Sequence, residues 1–146
     1  MTAFLPEPYA AYGSNLWHDQ MRARCPAARV AGSALLQGWR LVVRKFALIE
    51  RDAAAACPVG LWHVTEACMA SLDRHEGPHT YQRRFVTLPD GRRAVTYVEI
   101  RRRPGPPAAE YVQRLRDGYR DFGFDTAVLE AAIAASGFSA AAPPPP

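Results

Sequence analysis

The sequence predicts an α+β fold: a small mixed, mostly antiparallel β-barrel or curled sheet flanked by helices. Two observations carry that expectation. Short runs rich in β-branched and aromatic residues recur between tight turns of Gly, Pro, Asn and Asp, and segments of helical spacing lie between and after them. The 146 residues suit one domain large enough to bury its own core. That domain is expected over 8–137, with 1–7 and 138–146 as flexible tails. The hydrophobic fraction of 49% and charged fraction of 22% fit a soluble globular chain.

The elements follow in order. Tyr9 to Tyr12 reads as a short strand, broken by Gly13-Ser14-Asn15, where Gly13 is expected to free the backbone for positive φ. Leu16 to Cys25 reads as a helix, with Leu16 and Trp17 placed against Met21, and Pro26 stops it. Arg29 to Leu36 and Trp39 to Ile49 read as two strands with a bend at Gln37-Gly38. Ala53 to Ala56 reads as a helix turn or loop, and Val59 to Val64 as a strand. Thr65 is a good N-cap for a helix ending near Glu76, since Gly77 is a C-terminal stop and Pro78 restricts the residue before it. Pro89-Asp90-Gly91 predicts a hairpin turn between Tyr81–Leu88 and Ala94–Ile100. Past a stiff Pro104–Pro107 connector, helices are expected over Ala108–Tyr119 and Thr126–Ala135. Ala140 to Pro146 is a low-complexity stretch expected to be disordered.

Charge and cysteine usage narrow the classes. The net charge is +4 and the pI about 9.3, a flag for nucleic-acid binding. The arginines are spread in small groups, Arg83-Arg84, Arg92-Arg93 and Arg101 to Arg103, which suits solvated strand faces or loops first, an anion-attracting patch for acidic substrates second, and a nucleic-acid arm least. Cys25, Cys57 and Cys68 form no CxxC pair, and an odd count fits a reducing compartment. No signal-peptide pattern and no membrane-length apolar run are present, so a cytoplasmic location is expected.

Four stretches in order carry a resemblance. They are Tyr12-Gly13-Ser14-Asn15-Leu16, Val59 to Val64, Leu72-Asp73-Arg74-His75-Glu76-Gly77 with Tyr81 shortly after, and Ala94 to Val98 with Tyr97. Over about residues 8 to 124 the chain resembles the γ-glutamyl cyclotransferase (AIG2-like) superfamily, whose YGSNL loop and LDxxEG helix end these match. The resemblance implies a small mixed β-barrel and an intramolecular acyl transfer. In that reaction the α-amine of a γ-glutamyl group attacks its own γ-carbonyl, releasing 5-oxoproline and a free amine, with no cofactor or metal. It implies a small-molecule γ-glutamyl substrate as partner and leaves a homodimer open, with no nucleic acid or membrane involved.

Such a reaction carries its own nucleophile, so no Ser or Cys triad is required. One carboxyl can take the amine's proton and return it to the leaving nitrogen if it lies within about 3 Å. Glu76, at a helix end beside Gly77, is the expected acid/base, and partial desolvation would raise its pKa. The Gly13-Ser14-Asn15-Leu16 backbone beside a helix start would cradle a carboxylate or oxyanion. Tyr12 reads as packing at the head of that cradle. Tyr81, Tyr97 and Tyr111 are candidate pocket walls whose hydroxyls could fix the substrate.

Two rival readings fit parts of the same sequence. His75-Glu76-Gly77-Pro78-His79 spells HExxH, the zinc-peptidase string. That pattern needs both histidines on one helical face, which Gly77-Pro78 would spoil. The other rival is a non-catalytic γ-glutamyl-binding or interaction domain on the same scaffold. The retained loop and Glu76 argue against it. Within the catalytic reading, a loop of Asn15-Leu16 fits γ-glutamyl amino acids or γ-glutamylamines better than the YGSLxW loop of glutathione-specific relatives.

Overall fold

The computed structural model describes residues 3–77, 79–101 and 103–140. Pro78, Arg102 and the proline-rich end, 141–146, lie outside the described residues, together with residues 1 and 2.

Strand β1 (Tyr9–Ala11) leads through a 3-10 turn (Ser14–Leu16) into helix α1 (His18–Arg24). Strands β2 (Arg29–Val43) and β3 (Ala47–His63) follow, then α2 (Glu66–Glu76), β4 (Tyr81–Thr87), β5 (Arg93–Glu99), α3 (Ala109–Phe122) and α4 (Ala127–Ala135). The five strands form one mixed sheet in the order β2-β3-β1-β5-β4. All neighbours are antiparallel except β1 and β5. The sheet is open, with β2 and β4 at its edges, so of the two expected forms it is a sheet and not a closed barrel. Closure would need a β2–β4 ladder, and α4 packs on β2 instead.

β1 is short and buried throughout, as a strand at the centre of a sheet must be. Its neighbours fix its position: Val95 N donates to Pro8 O (2.9 Å), and Thr96 Oγ1 to Ala10 O (2.8 Å). The chain leaves β1 directly into the Gly13–Leu16 loop, so the central strand aims that loop.

The region between Arg29 and His63 departs from expectation. Gln37-Gly38 is not the bend between two strands. β2 runs through it, and Gly38, at φ +83°, sits at a break in register. Pairing jumps from Gln37–Ala56 to Trp39–Arg51, which leaves Asp52–Ala55 opposite Gly38. The alanine tract is therefore part of β3 and neither helix turn nor loop, and the Asp52 carboxylate accepts the Ala54 N–H (3.0 Å) to brace it. The real reversal is at Arg44-Lys45-Phe46, where Arg44 N donates to Phe46 O (3.1 Å).

α2 has both ends that its sequence encodes. Thr65 Oγ1 accepts from Cys68 N (3.1 Å), and Cys68, Met69 and Leu72 form the buried stripe. Gly77 ends the helix at φ +87°, a conformation that disfavours any side chain, and its carbonyl accepts from Thr80 N and Tyr81 N. The chain thus swings from Glu76 straight into β4. The hairpin over Pro89–Gly91 closes through Leu88 N to Arg92 O (2.8 Å).

α3 lays Val112, Leu115, Gly118 and Tyr119 against the core. Leu16 is completely buried beneath its own loop. A Cβ on Gly60 of β3 would come within 2.7 Å of Leu16, and one on Gly118 of α3 within 2.6 Å. These two glycines leave the slot that Leu16 fills, a burial worth roughly 1.5–3 kcal/mol.

All three cysteines are free and buried, and burial pushes the Cys25 and Cys57 thiols up to about 12. Neither is a ready nucleophile at neutral pH. No helix among the described residues is long and apolar enough to cross a membrane.

Candidate active site

Where β1, the C-terminal end of α2, and α3 meet, a cavity of about 140 Å³ opens. Tyr12, Gly13, Ser14, Asn15, Glu76, Tyr81, Tyr97 and Tyr111 all line it. Leu16 does not: it is the peg under the loop. Tyr9, Arg24, Phe46 and Arg114 join the lining and were not singled out from the sequence; Arg103, read there within an arginine group, and His75, read there as part of the HExxH string, line it too. The cavity opens on the surface, so a small group can sit inside it while the rest of a ligand extends outward.

Glu76 keeps some exposure as a residue, while its carboxylate turns inward. Burial raises its pKa to about 7, opposed by the Arg24 charge and by the hydrogen bond from Asn15. That bond runs from Asn15 Nδ2 to Glu76 Oε1 at 3.2 Å, and the same amide nitrogen donates to Tyr9 Oη at 3.0 Å. On its other side Asn15 Oδ1 accepts from Gln20 Nε2 (3.0 Å) and Arg24 Nη1 (3.0 Å). Gln20 Nε2 also donates to Ser14 Oγ (2.7 Å), and Gln20 Oε1 accepts from Arg114 Nη1 (3.0 Å). Gln20 and Arg24 are four apart on α1 and so share a face.

The loop differs from its expected form in one respect. Gly13 has φ −114°, so positive φ is not what it supplies. It supplies closeness: an added Cβ would lie 3.2 Å from Ala47 Cβ and 3.6 Å from Tyr111 Oη. Leu16 N and Trp17 N close back onto the Gly13 and Ser14 carbonyls (both 3.0 Å), so those amides are spent inside the loop. Any backbone cradle must use the amides before them.

The tyrosines hold the walls. Tyr12 Oη donates to Tyr97 O (2.8 Å), and Tyr81 Oη to Ala47 O (3.0 Å). Tyr97 Oη donates to Asp73 Oδ1 (2.6 Å). Tyr111 Oη accepts from Ala47 N (3.0 Å) and shares a hydrogen bond with Ser14. Tyr12, Tyr81 and Tyr97 have thus committed their protons to the protein, and toward a ligand they offer ring faces and oxygen lone pairs. Burial raises the pKa of each of these tyrosines, so they stay neutral near pH 7.

Glu76 is the carboxylate among the lining residues, and Arg24, Arg103 and Arg114 are its cations. Arg103 Nη2 donates to Thr80 Oγ1 (2.7 Å), with its guanidinium over the Phe46 ring. Among the described residues Arg24 has no carboxylate within ion-pair distance. The cavity therefore favours an anionic ligand. His79 lies past the end of α2, off the helical face that carries His75, so the HExxH string does not form a helical pair. Glu99 lies on β5, with Arg44 3.9 Å away.

Comparison with known proteins bears on this geometry. An uncharacterized human protein of solved structure matches with a TM-score of 0.77 at 20% identity, over 94% of this chain and 92% of that one. A structure described as a gamma-glutamyl cyclotransferase matches with a TM-score of 0.71 at 21% identity, over 91% and 88%. YkqA from Bacillus subtilis matches at 0.75 and 18% identity, over 90% of this chain and 55% of that one. At these identities the likeness is one of fold. No curated protein matches the sequence. The family model described as gamma-glutamyl cyclotransferase, AIG2-like, matches residues 9–116, a span that includes every residue lining the cavity. Family and fold together support a γ-glutamyl cyclotransferase-like activity in general. The chain belongs to the γ-glutamyl cyclotransferase, AIG2-like family.

Proposed function

We propose that the protein cleaves γ-glutamyl amino acids or γ-glutamylamines by intramolecular acyl transfer, releasing 5-oxoproline and the free amine, with Glu76 as general acid and base. The observation that carries this reading is the state of Glu76. Its carboxylate points into a small cavity lined by cations and tyrosines, and its pKa is raised to about 7. A base near neutrality can both take a proton and give it back at the working pH.

The steps balance without another reactant. Ionised Glu76 removes a proton from the α-ammonium. The freed amine attacks the γ-carbonyl, and the carbonyl oxygen becomes an oxyanion. Glu76 delivers that proton to the leaving nitrogen and takes the second proton from the ring nitrogen formed in the attack. As the C–N bond breaks and the carbonyl reforms, Glu76 passes this proton to the released amine, which leaves as the ammonium with Glu76 again ionised. The cationic lining suits the glutamyl α-carboxylate, and the tyrosine walls exclude water that would compete for the acyl group. The first amides of the Gly13–Leu16 loop are the candidates for the oxyanion.

A panel of γ-glutamyl-alanine, γ-glutamyl-lysine and glutathione, assayed for 5-oxoproline, tests the reading. Turnover is expected for at least one of the first two and is expected to vanish in Glu76→Gln. Undiminished release by that variant would sink the mechanism.

A further inference from the structure

The hydrogen bonds behind Glu76 have a direction, and it is set outside the cavity. Arg114 has only donors, so the Gln20 end that meets it must be Oε1. That turns Gln20 Nε2 toward Ser14 Oγ and Asn15 Oδ1. Arg24, again a pure donor, meets the same Asn15 oxygen. With both donors on Oδ1, the Asn15 NH2 must face Tyr9 and Glu76. Reversing either amide would set donor against donor and oxygen against carboxylate. Gln20 is itself buried, so water cannot substitute freely for these partners.

We infer that Gln20 is a positioning residue: held by Arg114, it fixes which end of the Asn15 side chain meets Glu76 and thereby keeps a hydrogen-bond donor on the acid/base. This rests on Glu76 being the acid/base. The relay joins α3 to α1, α1 to the loop, and the loop to the end of α2. Other charged and titratable groups also face Glu76: Arg24 from α1, Asp73 from its own helix, and Tyr9, Tyr12, Tyr81 and Tyr111. Gln20 acts on none of these directly except through Asn15, which makes the relay separable from them.

The test is a carbon-13 carboxyl titration of Glu76 in the full chain, beside steady-state kinetics with γ-glutamyl-alanine. Gln20→Met keeps the length of the side chain and removes its three hydrogen bonds, to Ser14, Asn15 and Arg114. It is expected to raise the Glu76 midpoint by about half a pH unit, because the ionised form loses part of its donor. kcat is expected to fall several-fold with KM within about twofold. Asn15→Leu is expected to shift the midpoint further, since Arg24 still orients Asn15 when Gln20 is gone. The double variant should shift it no further than Asn15→Leu alone. An unmoved midpoint in Gln20→Met, or shifts that simply add, overturns the proposal. Should Gln20→Met fail to fold, Gln20→Leu removes the same hydrogen bonds with a shorter side chain and no change of charge and must raise the midpoint in the same sense; no shift there also overturns it. Full activity in Glu76→Gln would fail the acid/base reading instead, and the titration would still report whether Gln20 acts on Glu76.

Discussion

Asp73 and Glu76 stand one turn apart on α2 and face opposite kinds of surroundings. Asp73 looks toward β4 and β5, where Arg83 Nε (2.8 Å) and Tyr97 Oη (2.6 Å) donate to it. The Arg83 hydrogen bonds hold its carboxyl below the usual carboxylate range. Glu76 looks into the cavity, where a single neutral amide donates to it and burial drives its pKa up to about 7. The same chemical group thus serves as a permanent anchor in one place and as an exchangeable proton site in the other. What separates them is the partner supplied, a guanidinium fork for one and an asparagine for the other.

Substitutions can break that contrast, and the largest effect is expected at Glu76. Glu76→Gln should lower 5-oxoproline release by about 10²–10⁴-fold. It should also stabilise the fold at pH 8. The folded-state pKa of Glu76 lies above its ordinary 4.5, so the folded chain keeps an extra proton between those values. The stability from that proton is complete below about pH 4.5 and is lost as pH rises through about 7. The neutral amide escapes that loss, a gain of about 1–3 kcal/mol in urea denaturation at pH 8.

The pH profile gives the next effect. kcat/KM of the wild type should fall about tenfold per unit on the acid side of pH 7, as Glu76 takes up the proton that disables it as a base. A profile flat from pH 5 to 8 would contradict the assignment. Gly13→Ala should raise KM by about three- to tenfold, because the new methyl pushes against Ala47 and the Tyr111 hydroxyl and shifts the loop.

Asp73→Asn is expected to have the smallest effect on turnover, about twofold or less, since Asp73 is outside the cavity lining. Its acid limb should move slightly toward lower pH, because the Asp73 charge is one of the influences that keep Glu76 protonated. Here stability should fall, by about 1 kcal/mol after allowing for solvent access to the pair. The sign is opposite to that at Glu76. The folded pKa of Asp73 is depressed, so its contribution is present above the unfolded pKa and is lost as pH falls through the folded one. The gap between variant and wild type should therefore close in acid.

The sequence was informative where one residue decides a local event. Thr65 and Gly77 bound α2, and Pro89-Asp90-Gly91 turns the β4–β5 hairpin, because caps and turns act within a few residues. It misled over β2 and β3. Gly38 carries a turn residue's backbone in a place where the sheet absorbs it as a register break, while the true reversal uses Arg44, Lys45 and Phe46, which carry no turn signature. The loop and Glu76 were legible as motifs. Tyr9, Gln20, Arg24 and Arg114 were not, because they converge from β1, α1 and α3. Only the spacing of Gln20 and Arg24, one helical turn apart just after the loop, could have hinted at a shared target.

The Leu16 peg between Gly60 and Gly118 reaches further than packing. If the loop cradles the substrate as proposed, a loop nailed to the core from below has little shape left to find when a ligand arrives. Ligand binding then spends little of its free energy on freezing backbone motion, and more of it shows as affinity. For anyone redesigning the cavity of this protein, Leu16, Gly60 and Gly118 form a foundation to leave untouched while the rim is varied.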